Sequence, residues 1–181
     1  MKELFAIGIL AYVIMPNHWH MLLNPKNDGD LSRAMQWLGT THTRRVHAQT
    51  KTIGAGHLYQ GRYKSFLVQG DKYFLTVLKY IERNPVRAKL VKAAEQWKWG
   101  STYRRSISHS KESKLITPSP VPLPRNYIKW INEAEQSESL AAIRKSISKG
   151  IPYGSDVWRD VMIERYNLKQ AMHEPGRPKI L

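Results

Sequence analysis

The chain of 181 residues carries 29 Lys and Arg against 14 Asp and Glu, a formal net charge of +15 with a pI near 10.1. It contains no cysteine, which excludes disulfides and cysteine-based zinc sites. The longest apolar stretch, Leu4 to Met15, is too short to cross a bilayer and has the flanks of a poor signal peptide, so a cytoplasmic protein is expected.

Ile7 to Met15 is rich in branched and aromatic side chains and reads as a buried strand. The turn from Met15 to Asn17 feeds a second strand through Leu23, giving a hairpin. Asp30 is the expected N-cap of a helix to about Gln49, with Leu31, Ala34, Met35, Leu38 and Val46 on its apolar stripe. Residues 51–61 hold three glycines and read as a loop. Arg62 to Gln69 alternates basic or polar with apolar residues, the pattern of a strand with one wet face. A helix capped by Asp71 is expected to run to about Asn84, where Pro85 discourages continuation. Residues 108–124 are serine- and proline-rich and read as a linker. Three helical patterns follow, at 125–136, 137–148 and 155–169, before a basic tail. The expected organisation is an α+β domain over 1–107, the linker, and a helical C-terminal appendage over 125–181. No internal repeat is visible.

Two places carry chemistry. His18 and His20 flank Trp19, and on a strand both imidazoles project the same way, forming half of a site for a divalent cation. A His-x-His also arises by chance on polar strand faces. Tyr80 and Asn84 are four apart, on one helix face; the phenol is able to attack phosphorus and the amide carbonyl to complete a His, His, Asn ligand set. Taken singly, such a Tyr is more often a packed aromatic and an Asn before Pro a turn residue. Their joint occurrence in a strongly basic chain favours chemistry on nucleic acid. The charge attracts polyanions, and nine Tyr and six Trp supply faces on which unpaired bases stack.

Met15-Pro16-Asn17-His18-Trp19-His20, Gln60-Gly61-Arg62-Tyr63-Lys64, Tyr80-Ile81-Glu82-Arg83-Asn84-Pro85-Val86-Arg87-Ala88 and Trp99-Gly100-Ser101 together resemble the REP-associated tyrosine transposases. That family is IS200-like and lies within the HUH single-strand endonucleases. Gly150-Ile151-Pro152-Tyr153-Gly154-Ser155 and Gly176-Arg177-Pro178-Lys179 resemble its C-terminal segment. The resemblance implies a ferredoxin-like HUH fold, an antiparallel sheet with helices on one face. It implies His18, His20 and Asn84 as metal ligands and Tyr80 as nucleophile. Members usually place a strand and a helix ahead of the histidine hairpin, whereas here the chain begins almost at it. The first strand is therefore expected to be absent, through truncation or in this lineage.

The reaction so implied is cleavage and rejoining of single-stranded DNA at hairpin-associated repeats through a 5′-phosphotyrosine, with Mg or Mn as cofactor. Arg62, Lys64, Arg83 and Arg87 would contact the DNA backbone, and Arg177 and Lys179 in the tail would extend that contact. The protein acts as a monomer or homodimer in this reading. Tyr63 and Tyr73 are rival nucleophiles without a ligand one helical turn further on, and His42, His47, His57 and His109 read as surface or loop residues. Two other classes compete: a noncatalytic binder of hairpin or single-stranded DNA, and a metal-dependent hydrolase of small phosphoesters, which the net charge disfavours.

Overall fold

The computed structural model describes residues 4–107 and 115–168. His109, Arg177 and Lys179 lie outside them. Two strands, β1 (Ile7–Ile14) and β2 (Trp19–Pro25), form the expected antiparallel hairpin. Every residue of β1 except Ile14 is buried, on both faces, which is why the strand reads as a continuous apolar run instead of an alternation. Its pairing with β2 shifts register between Ile9 and Ala11, where Leu10 is the extra residue of a bulge.

The other edge of β1 is covered by irregular chain. Thr117 exchanges hydrogen bonds with Ile9, its amide donating to the Ile9 carbonyl at 2.7 Å and its hydroxyl accepting from the Ile9 amide at 3.1 Å. A Cβ on Gly8 would meet the Thr117 side chain at 3.2 Å, so glycine permits this close approach. Further along, Ile14 N–H donates to Trp99, Val13 bridges Gly100, and the Trp97 indole donates to the Ile14 carbonyl at 2.9 Å.

Seven α-helices and one 3-10 turn (Ala94–Gln96) complete the α+β fold of the described residues: α1 (Asp30–Thr50), α2 (Lys72–Glu82), α3 (Asn84–Arg87), α4 (Ser101–Ser106), α5 (Tyr127–Asn132), α6 (Ser137–Lys149) and α7 (Asp156–Arg165). The helices expected after Gly70 and in the C-terminal part are present, α2, α5 and α7 shorter than expected and α6 one residue longer. Three expectations are corrected. Gly29, at φ 80°, is the N-cap of α1; Asp30 instead accepts from the Asn27 amide and from Arg33 as the first helical residue. Residues 62–69 form no strand, and only Val68 makes a bridge, to Tyr153. Alternation supplies a wet and a dry face but no partner edge. Pro85 does not end helical structure either: α2 stops at Glu82, and α3 begins at Asn84 with Pro85 in its first turn, where a missing N–H costs nothing.

The chain divides into two compact units, Met1–Tyr63 with Ile81–Ser119, and Lys64–Tyr80 with Pro120–Leu181. The first holds the hairpin, α1, α3 and α4. In the second, Tyr153 N–H donates to Leu67 and its carbonyl accepts from Gln69, while the Gln69 amide oxygen accepts from Ser155 N–H at 2.8 Å. The Tyr73 and Tyr153 rings meet edge to face at 5.4 Å, and Lys79 lies over the Trp130 ring. A Cβ on Gly154 would run into Gln69 and Trp158, which accounts for the glycine in this segment.

Candidate active site

Proline and asparagine make the turn that presents the histidines. Pro16 restricts its own φ, and Met15 N–H closes the turn onto the His18 carbonyl at 2.8 Å. His18, at the exit, is exposed, and its Nδ1 lies 2.7 Å from Asn17 Oδ1. An amide oxygen only accepts, so Nδ1 carries the proton and the Nε2 lone pair is left to bind something else. His20 stands opposite Val13 in β2 and is half-buried. The two rings lie 5.0 Å apart between centroids at 83° to one another.

Burial, then the neighbouring His18, then the positive charge of Arg87 push the His20 pKa down from 6.5 to about 4. At neutral pH its imidazole is uncharged, the state a metal ligand requires. Arg87, whose charge acts on His20, is the last residue of α3, the segment that begins at Asn84. Asn84 is buried, at 8% exposure, and its carbonyl accepts from Ala88 N–H.

Among the described residues no three His, Cys, Asp or Glu side chains are grouped so as to hold a metal ion. A cation on this hairpin therefore needs a further donor of another kind, and a neutral amide such as that of Asn84 is chemically suited. Tyr80 is on α2, 8% exposed, and is the last residue of its segment in the second unit; Ile81 opens the next segment of the first. Arg62 and Lys64 are exposed on the chain that leaves the first unit, and Arg83 and Arg87 are half-buried. Of the rival or unassigned groups, Tyr63 lies 3.3 Å from the Ser32 hydroxyl, His42 pairs with Tyr59, and His47 with Thr52 and the Gly56 carbonyl.

Sequence reasoning missed one cluster. Glu82 is 2% exposed, its Oε2 accepting from the Thr102 hydroxyl at 2.7 Å and its Oε1 from Arg105 at 3.2 Å and the Ser101 hydroxyl at 2.5 Å. The Ser101 oxygen also accepts from Tyr12 N–H at 2.9 Å and lies 3.0 Å from the Tyr12 carbonyl, its single proton serving one acceptor at a time. Arg105 bonds in addition to the carbonyl of Leu10, the bulge residue. The available signal was an acid at a position where the helical periodicity of α2 demands burial. Its partners, nineteen or more residues away, were not readable.

Residues 1–84 match the family model described as "Transposase IS200 like". Over this part of the chain the resemblance carried by the motifs is borne out: residues 1–84 are similar to the IS200-like transposases. A curated relative from Haemophilus influenzae, named "Putative REP-associated tyrosine transposase", is 26% identical over 110 residues, 56% of this chain and 62% of the relative. The chain thus spans less than two thirds of that relative's length. No solved structure matches the chain. Among the described residues no helix is long and apolar enough to cross a membrane.

Proposed function

We propose that the chain is a metal-dependent transposase acting in the cytoplasm on single-stranded or hairpin DNA, which it cuts and rejoins at hairpin-associated repeats. The observation that carries this reading is the facing pair His18 and His20, one with its free nitrogen assigned by Asn17, the other held neutral, within the residues matched by the family model. His18, His20 and Asn84 would hold Mg or Mn, whose chemistry is to polarise the scissile phosphate and stabilise charge on its nonbridging oxygens.

The remaining work falls to the protein's own groups. Tyr80 gives up its phenolic proton and attacks phosphorus in line; the new bond is tyrosyl O–P, and the bond that breaks is P–O3′. The departing 3′ oxygen takes a proton and leaves as a hydroxyl, with the other strand end held as a 5′-phosphotyrosine. Since the phosphodiester energy is conserved, another 3′ hydroxyl reverses the step and joins strands without ATP. Arg62, Lys64, Arg83 and Arg87 hold the backbone by charge, in keeping with the excess of 29 basic over 14 acidic residues. Arg177 and Lys179 extend the contact from the tail.

The 8% exposure of Tyr80 favours a second reading, a noncatalytic DNA-binding relic, because a nucleophile must reach its phosphate. Labelled single-stranded hairpin DNA, incubated with protein and Mn²⁺ and run on a denaturing gel, separates the two. The transposase reading expects a covalent adduct that Tyr80→Phe abolishes while DNA affinity stays unchanged. Tight binding with no adduct from the unaltered protein supports the relic.

A further inference from the structure

We infer that Glu82 is a positioning residue for this site, its clamped carboxylate fixing the start of α3, and so Asn84, against the hairpin that carries the histidines. The inference rests on the metal-site reading above and deepens it. A carboxylate taken fully out of water loses its hydration, and an apolar side chain of similar volume would fill the same space without that cost. Glu82 is nevertheless completely enclosed, its side chain at 0% exposure. It sits at the residue where α2 stops, two before Asn84, so the clamp lies beside the break in the helix.

The partners of Glu82 tie that break to β1 at Leu10 and Tyr12. Arg105 links the carboxylate to the Leu10 carbonyl, and Ser101, donating to the carboxylate, accepts from the Tyr12 amide and so links it to that backbone. Val13, the next residue, is the cross-strand partner of His20. A run of short polar contacts therefore leads from the residue two before Asn84 to β1, the strand paired with the one bearing His20, and every member lies within one compact unit. Directional bonds of this kind fix distance and rotation, which apolar packing leaves looser. A ligand amide and a ligand imidazole supplied by separate elements need such a tie, since a displacement on the order of 1 Å is enough to lose a coordination site.

The test uses the full chain, with Mn²⁺ alone as the probe of the site and hairpin DNA as the probe of the basic surface. For Glu82→Gln the expected result is a Mn²⁺ affinity lower by roughly ten- to a hundredfold, the range for outer groups that orient metal ligands, with hairpin DNA affinity retained. Cleavage should lose kcat with little change in KM. Unchanged Mn²⁺ affinity in a folded Glu82→Gln protein, whatever its melting temperature, overturns the inference. Should that variant fail to fold, Thr102→Ser and Thr102→Val replace it: the first keeps the donor to Glu82 and should keep Mn²⁺ affinity, and the second removes it and should lose affinity. Equal Mn²⁺ affinity in those two variants also overturns it. Absence of Mn²⁺ binding by the unaltered protein defeats the metal-site reading itself, and this inference with it.

Discussion

The hairpin carries polar groups at its turn and at its middle, under opposite conditions. At the turn, Asn17 and His18 are exposed, and His20 is held neutral with its ring facing that of His18. At the middle, Leu10 and Tyr12 are buried, and their backbone groups are met by Ser101 and Arg105, which also hold the carboxylate of Glu82. Polarity at the turn is where the proposed metal would bind; polarity in the middle is bonded within the protein. The groups proposed to bind metal and those that hold the fold thus lie on one hairpin under different burial.

Substitutions at each place should therefore differ in kind. The largest effect is expected from His20→Ala, which should remove Mn²⁺ binding and leave folding nearly intact; calorimetric titration with Mn²⁺ and a melting curve read the two. If binding survives, the turn is not where a metal sits. Acid comes next. His20 has its pKa lowered to about 4 in the fold from 6.5, so between those values the unfolded chain binds the proton more readily. Stability of the metal-free protein should be full above pH 6.5 and decline as pH falls toward 4, with the His20 ring resonances, followed by NMR, titrating near 4. A His20 titration at its ordinary 6.5 would remove the argument for a preformed neutral ligand.

At the middle of the hairpin, Arg105→Ala should cost about 2 kcal/mol of stability, measured by urea unfolding, since a hydrogen bond to a buried charge is lost while Ser101 and Thr102 remain. A loss under about 0.5 kcal/mol would place the clamp in the class of weak surface pairs. The smallest effect belongs to Asn17→Ala, which frees the His18 tautomer: about a tenfold loss of Mn²⁺ affinity is expected, with stability unchanged. No change in affinity would mean that Asn17 shapes the turn without orienting the ring.

The sequence made local features legible and left non-local ones hidden. The apolar run at Ile7–Ile14, the Pro16-Asn17 turn and the periodicity of α1, α2 and the C-terminal helices act over a few residues, and each was found. Residues 62–69 failed as a strand because a strand needs an edge, and only Val68 finds one, at Tyr153. The break at Arg83 was missed because Pro85 reads as a terminator, although it fits the first turn of a new helix equally well. For the site, the His-x-His spacing was sufficient to place two rings together. The role of Arg87 beside His20 and the burial of Glu82 depend on tertiary packing, which residue spacing does not encode.

The most direct measurement is to locate the covalent bond. Protein incubated with single-stranded hairpin DNA and Mn²⁺ is digested with nuclease and trypsin, and the peptides are mapped by mass spectrometry. The account predicts a nucleotide joined through its 5′ phosphate to Tyr80; a nucleotide on Tyr63 or Tyr73, or no modified peptide while hairpin DNA is bound tightly, would contradict it.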